Sequence, residues 1–210
     1  MAICPLCSHR QGKRYCPAVA EQICAVCCGT KREIEIDCPS SCSYLKASRT
    51  YELEKPIPYP QVADKVHNYD ERFIQRYQQI LDAVTGSVLE ERLTSAWLVD
   101  NDVIEVFKSL NATMKTLSSG IYYESLPETP VRLSLFRRLK SVLDEFMKPD
   151  PGAARNALKV TEAIEVLDFL TLVAQANSSV RPKSRRYLDW LADRFGVLPP
   201  AVQSSGIILP

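Results

Sequence analysis

Beyond residue 60, apolar side chains recur at three- and four-residue intervals with polar residues between them, which is the period of an amphipathic helix. Val62, Val66, Tyr69, Phe73, Ile80 and Val84 predict a first helix closed at Gly86, and 87–99 a second. Asp102 and Glu105, at capping-box spacing, predict a third helix with Val103, Phe107, Leu110, Met114 and Leu117 on one face and Gly120 as its stop. Thr129-Pro130 reads as the N-cap and first helical residue of a fourth, carrying Leu135, Leu139, Val142 and Phe146. Asp150-Pro151 repeats that device ahead of a fifth helix with Val160, Ile164, Leu167 and Ala174, and a sixth is expected over 182–195, closed by Gly196. No strand-like alternation follows residue 50, and no repeat of fixed period is present. The expected fold is therefore mainly α, a small N-terminal cysteine-rich module followed by an all-helical bundle of about six helices.

The pattern divides the chain into four segments. Residues 1–50 form the cysteine-rich module, and 51–60 a connector stiffened by Pro56, Pro58 and Pro60. Residues 61–196 form the helical domain, and 197–210 a tail expected to fray. Apolar residues make up 46% of the 210-residue chain, enough to bury a core, and the 24% charged content argues against wholesale disorder. The formal net charge of +1 favours no class of partner. The N-terminus has no secretory signal, and no run reaches the roughly 18 apolar residues of a membrane span, so a cytoplasmic protein without a membrane partner is expected.

Cysteine placement changes the picture most. All eight cysteines lie between Cys4 and Cys42, and residues 43–210 contain none. Thiols clustered in a reducing compartment call for metal rather than disulfides. Cys4-x2-Cys7, Cys16, Cys24-x2-Cys27, Cys28 and Cys38-x3-Cys42 supply the ligand candidates. A Cys-x2-Cys pair on a tight turn can aim two thiolates at one tetrahedral ion. Eight thiolates match two zinc ions, and adjacent Cys27 and Cys28 should point in different directions. The preferred assignment places Cys4, Cys7, Cys24 and Cys27 on one Zn2+ and Cys16, Cys28, Cys38 and Cys42 on the other. Interleaved ligation of this kind pins a short unit that cannot build a large core. His9 is a spare ligand, with a solvated loop histidine as its simpler role.

This arrangement resembles the cross-braced and treble-clef zinc modules, the group that holds RING, MYND and HIT fingers, with a single Cys16 where those groups supply a tight pair. The runs Tyr15-Cys16-Pro17, Ile23-Cys24-Ala25-Val26-Cys27-Cys28-Gly29-Thr30-Lys31-Arg32 and Cys38-Pro39-Ser40-Ser41-Cys42-Ser43-Tyr44-Leu45 are similar to the opening of uncharacterised bacterial proteins with a helical remainder. The resemblance implies zinc binding and no activity.

All-thiolate ligation points to closed structural sites, since a catalytic zinc keeps an open position and commonly draws on histidine or carboxylate. Only His9 and His67 occur, with no His-x-Glu, His-Glu-x2-His or Glu-x2-His motif, and no enzyme is expected. Glu90, Glu91, Asp100, Asp102 and Glu105 read as helix-boundary carboxylates, and Tyr69, Phe73 and Tyr77 as a core stripe. The module carries Arg10, Lys13, Arg14, Lys31, Arg32, Lys46 and Arg49 against four acids, but eight thiolates and two divalent ions bring the loaded unit near −1. Its basic side chains suit either phosphate or the metal thiolates themselves.

The densest basic run is 181–186, Arg-Pro-Lys-Ser-Arg-Arg, ahead of Tyr187 and Trp190. It reads either as a solvated helix start, with Tyr187, Leu191 and Phe195 inward, or as a phosphate-binding surface. Arg132, Arg137, Arg138 and Lys140 offer a second basic face. The expected function is a zinc-binding interaction protein, an adaptor for another protein. The alternatives are a nucleic-acid-binding protein and a zinc-thiolate redox sensor.

Overall fold

The computed structural model describes residues 2–54, 69–149 and 156–196. Its architecture is the expected one, a small cysteine-rich unit followed by a helical bundle. The order is β1 (Arg14–Cys16), β2 (Glu21–Ile23), α1 (Ala25–Lys31), α2 (Ser43–Glu54), α3 (Glu71–Thr94), α4 (Asp100–Ser118), α5 (Pro130–Met147), α6 (Val160–Asn177) and α7 (Arg186–Arg194). The predictions that rest on residues 55–68, on Asp150-Pro151 and on 197–210 lie outside the described residues, His67 among them. Residues 51–54 of the expected connector belong to α2, ahead of Pro56.

The largest departure is at Gly86. The first two predicted helices are one continuous helix, α3, which buries Tyr77, Ile80, Leu81, Val84, Val88 and Leu89 along a single face on both sides of the glycine. A mid-helix glycine costs about 1 kcal/mol relative to alanine. Each buried aliphatic side chain contributes about 2 kcal/mol, so packing overrides the local stop signal. Helix α3 opens on Asp70, whose carboxylate accepts from the Phe73 N–H at 2.9 Å. It ends at Thr94, where the Ser95 N–H closes on the Glu91 carbonyl at 2.8 Å.

Helix α4 starts at Asp100, and Asp102 is the third residue of its first turn, accepting from the Val99 N–H at 3.2 Å, rather than the cap itself. Gly120 follows the helix with φ +79°, as its predicted role as stop requires. Pro130 is the first residue of α5, after Thr129. Helix α7 begins at Arg186, four residues later than the predicted 182, because 183–185 are drawn into other bonds described below.

Helix α4 is the centre of the bundle. It packs along α6 and against α5, α3 lies on α5, and α7 closes over α3 and α6. Phe107, Leu110, Met114, Leu135, Leu139, Leu143, Leu167 and Tyr187 are fully buried at this meeting. Tyr69, Phe73 and Tyr77 form the predicted stripe, with edge-to-face ring contacts extended by Phe169 of α6. Among the described residues, no helix is long and apolar enough to cross a membrane.

One buried carboxylate fastens the last helix to this core. Asp100, at 0% exposure, accepts from the Tyr187 and Leu188 N–H groups at 3.1 Å each and from the Ser184 hydroxyl at 2.8 Å, capping α7 from another element. Burial pushes its carboxyl up to about 6, against the opposing pull of the Leu188, Ser184 and Tyr187 donors. Between pH about 4 and 6 the unfolded chain gives up this proton while the folded chain keeps it. The residue's contribution to stability therefore falls by about 3 kcal/mol as pH rises through that window and is level on either side. Urea midpoints measured from pH 4 to 7 should show this decline, and Asp100→Asn should abolish it.

Candidate metal centre

The N-terminal unit has a small apolar interior, with Ile23, Ile36 and Leu45 buried among the cysteines. Its first turn is a knuckle: the Ser8 N–H returns to the Cys4 carbonyl at 2.8 Å, the Cys4 N–H reaches the Arg10 carbonyl at 2.8 Å, and Ser8 turns with φ +54°. The antiparallel hairpin β1–β2 follows, with Tyr15 opposite Gln22. Gly12 lies so close to it that a Cβ would sit 2.3 Å from the Gln22 carbonyl oxygen, so only glycine lets the knuckle lie on the hairpin. Cys24 then caps α1, its sulfur accepting from the Cys27 N–H at 3.3 Å. Knuckle and helix start thereby face each other.

The Sγ atoms of Cys4, Cys7, Cys24 and Cys27 all lie within 4.8 Å of one another, a grouping that can hold a metal ion. An ion bound tetrahedrally at about 2.3 Å from each sulfur sets sulfur–sulfur distances near 3.8 Å. Cys7 and Cys24 stand 4.0 Å apart. The donor set therefore fits a zinc-sized tetrahedral ion.

Local electrostatics are arranged for thiolates. The backbone N–H groups of His9 and Arg10 bring the Cys7 thiol down to about 6, and the Cys27 N–H lowers Cys24 in the same way. Cys27, which burial and the neighbouring Cys24 and Cys7 sulfurs push up to about 12, shows the cost of crowding these groups without a cation. A divalent ion reverses that cost. His9 is exposed and contributes its backbone N–H to Cys7, and it is outside the four-sulfur cluster.

The other four cysteines are arranged differently. Cys16 ends β1 at a tight turn where the Ala20 N–H returns to its carbonyl at 2.8 Å. Cys28 lies on α1 beside Cys27, and Cys42 precedes α2, its carbonyl accepting from Leu45 and Lys46 at 3.1 and 3.0 Å. Cys38 is pushed up to about 11, by burial first and by the charges of Cys16 and Cys42. Cys16, Cys28 and Cys38 are buried in the same cluster, with Cys42 packed against it. Among the described residues, the mutual approach within 4.8 Å is found for the first four cysteines and not for this second set. Arg32 stands over Cys28, its Nη2 directed at the sulfur from 3.7 Å, so one module arginine does face a thiol.

The basic run at 181–186 is neither solvated nor offered to phosphate along most of its length. It grips the cysteine module. Arg185 pairs with both carboxylate oxygens of Asp37 while donating to the Ala96 and Leu98 carbonyls at 3.0 and 3.1 Å. The Lys183 N–H donates to the Glu33 carbonyl at 2.9 Å, its Nζ reaches the Glu35 carbonyl at 2.7 Å, and Arg181 stands 3.7 Å from the Glu33 carboxylate.

Asp189 of α7 forms the second half of this seam. It accepts from Arg92 of α3, from Arg49 of α2 and, at 2.7 Å, from the Ser40 hydroxyl. Arg49 also reaches Glu33 at 2.9 Å. Tyr187 and Leu191 are buried as expected, whereas Phe195 is 45% exposed. The second predicted basic face is also largely paired, Arg132 with Asp102, Arg138 with Glu90 and Glu91, and Lys140 with Asp144.

Sequence reading passed over this seam. Asp189 and Asp37 carried no motif, and the only signal was a basic run at a helix N-terminus, where positive charge opposes the helix dipole and needs another reason to be there. Compared with known proteins, the chain matches no protein-family model, no curated protein and no solved structure.

Proposed function

We propose that this chain is a non-enzymatic zinc-binding interaction protein, an adaptor for another protein. The observation that carries the reading is the convergence of Cys4, Cys7, Cys24 and Cys27 from a knuckle and a helix start onto one point. Four thiolates complete a tetrahedral shell and leave no open position for substrate, which is the chemistry of a structural ion. The knuckle–hairpin–helix order supports the resemblance to treble-clef modules. A second Zn2+ at Cys16, Cys28, Cys38 and Cys42 rests on residue type and spacing, since these four are buried in or packed against one cluster without the mutual approach of the first set.

A protein partner is favoured by the α4–α5 loop. Ile121, Tyr122, Tyr123 and Leu126 are each more than half exposed within six residues. The loop is nevertheless held in place, Thr116 Oγ1 donating to the Tyr123 carbonyl and the Ser125 N–H to Thr113 Oγ1, both at 3.0 Å. An ordered aromatic patch of this kind suits a protein interface, where tyrosine is enriched and little ordering entropy remains to be lost. Nucleic acid is a weaker reading, since Arg181, Lys183 and Arg185 face the cysteine module.

Two measurements test the proposal. Native mass spectrometry of the full chain is expected to show about two zinc ions per molecule, the number that eight thiolates satisfy. A partner recovered by affinity capture should be lost with Tyr122→Ser/Tyr123→Ser while zinc content is unchanged. Metal-free native protein, or salt-sensitive RNA retention weakened by charge reversal at Arg185 and Arg186, would overturn it.

A further inference from the structure

The module and the bundle bury separate apolar cores, and the seam described above joins them through ion pairs and hydrogen bonds. The acidic side of that seam is a preformed loop. The N–H groups of Ile34, Glu35 and Ile36 all return to the Lys31 carbonyl, at 3.2, 3.0 and 3.0 Å, and Ile36 is buried in the module's own cluster. The Glu35 carboxylate pairs with Lys31 on the same loop. The loop is therefore shaped within the module and meets the helical domain as a finished surface carrying Glu33 and Asp37.

Charges on the two faces are not matched. On the helical side Arg92, Lys183 and Arg185 outnumber Asp189 by two, whereas on the module Glu33 and Asp37 outnumber Arg49 by one. Lys183 Nζ ends on a neutral group, the Glu35 carbonyl, rather than on a carboxylate. The Arg185 fork already reads a carboxylate, taking both oxygens of Asp37. This face suits a more acidic occupant than the module supplies. Parting the two faces is also less costly than cutting one ion pair. Removing a single ion strands its partner in a buried site, but separation returns both sets of charges to water together, which offsets much of the lost attraction. Units joined by polar contacts without a common apolar core move relative to one another by default.

We propose that the helical-domain face bearing Lys183 and Arg185 is a docking site for an acidic segment of a partner protein, and that the 33–37 loop of the cysteine module occupies it as an intramolecular competitor. This gives a chemistry to the partner of the adaptor reading above and rests on that reading. A tethered occupant acts at an effective concentration on the order of millimolar. A partner's apparent affinity is therefore scaled down to the fraction of molecules in which the module is undocked.

The test follows fluorescence anisotropy of a fluorescein-labelled decaglutamate peptide with the full-length protein as purified. Glu33→Gln/Asp37→Asn keeps the loop's shape but removes its charge, and should bind the peptide about tenfold more tightly than the wild type, the scale of a typical coupling. Adding Lys183→Ser/Arg185→Ser on that background should abolish the gain. In the wild type, saturating peptide should raise the radius of gyration in small-angle scattering as the module leaves its seat, an arm that needs no substitution and stands if a variant folds poorly. Unchanged affinity in Glu33→Gln/Asp37→Asn with zinc content and helical circular dichroism intact, or peptide binding that leaves the wild-type radius of gyration unaltered, overturns the competitor. Equal or tighter binding of decauridylate, lost with Lys183→Ser/Arg185→Ser, overturns the acidic protein partner and makes this face a nucleic-acid site. Any of these results leaves the tests of the adaptor reading at Tyr122 and Tyr123 to stand or fall on their own, so the two failures are told apart.

Discussion

Cys24→Ser is expected to empty the Cys4–Cys7–Cys24–Cys27 centre and unfold the N-terminal module, leaving the helical domain folded. Cys24 is 3% exposed and has two roles, as one of four converging sulfurs and as the side chain that caps α1 through the Cys27 N–H. Serine can replace the cap, but its hydroxyl is not a thiolate ligand. The capping contribution is about 1 kcal/mol. Binding of a structural zinc in small units is worth roughly 10–16 kcal/mol near neutral pH.

The module has no reserve against a loss of that size. Among the described residues its buried aliphatic interior amounts to Ile23, Ile36 and Leu45, and units of about fifty residues rarely hold together on such a core without a staple. The bundle formed by α3–α7 has its own continuous core and should keep its helical circular dichroism. Hydrogen exchange across 2–54, combined with native mass spectrometry, checks the outcome. Retained metal, or a module still protected after losing it, would show that the thiolates do not hold this unit together.

The second large effect is expected at Asp189. Asp189→Ala leaves Arg49 and Arg92 facing each other at the seam without their shared anion. Arg92 is 5% exposed and its Nη1 already lacks a hydrogen-bond partner, as does Arg49 Nε, so little capacity remains to absorb a further loss. Removing one partner from a buried charge cluster costs about 3 to 5 kcal/mol. The loss should appear as a lower urea midpoint and as lost exchange protection in both α2 and α7.

Burial alone would push the Asp189 carboxyl up, but the hydrogen bonds and charges of Arg92 and Arg49 outweigh it and hold the group below its ordinary range. Its contribution is therefore complete above pH about 4 and declines as pH falls through the lowered value, opposite in sign to Asp100. The combined substitution Arg49→Met/Arg92→Met/Asp189→Leu should recover most of the stability, because a packed apolar cluster avoids the desolvation that the ions incur. If Asp189→Ala alone proves neutral, the seam is solvated and does not fasten the module.

Much of this molecule is legible in one dimension. A helix must bury a stripe, and stripes appear in sequence as period, which is why Phe107, Leu110 and Met114, or Leu135 and Leu139, could be assigned to one face without coordinates. Gly120 and Thr129-Pro130 were equally readable, because stops and starts depend on the conformational limits of single residues. The cluster of Cys4, Cys7, Cys24 and Cys27 was visible from residue type and spacing, since a Cys-x2-Cys turn is a local object. Gly86 marks the limit of that reasoning: its own preference for ending a helix is worth less than the burial gained by continuing it, and burial is set by α4 and α5.

The same limit separates the two sets of cysteines. Cys4-x2-Cys7 and Cys24-x2-Cys27 carry their geometry in their own turns and converge within 4.8 Å, whereas Cys16, Cys28, Cys38 and Cys42 share one apolar cluster through the packing of the hairpin, α1 and α2 without that mutual approach. Tertiary structure alone decided the use of the charges. Arg181, Lys183 and Arg185 look like a surface in sequence and turn out to be an internal seam, because Coulomb attraction acts across space and Asp37 lies 148 positions away from Arg185 along the chain. Asp100 and Asp189 share that property: each is an ordinary helix-end carboxylate until folding excludes water around it and brings its donors within reach.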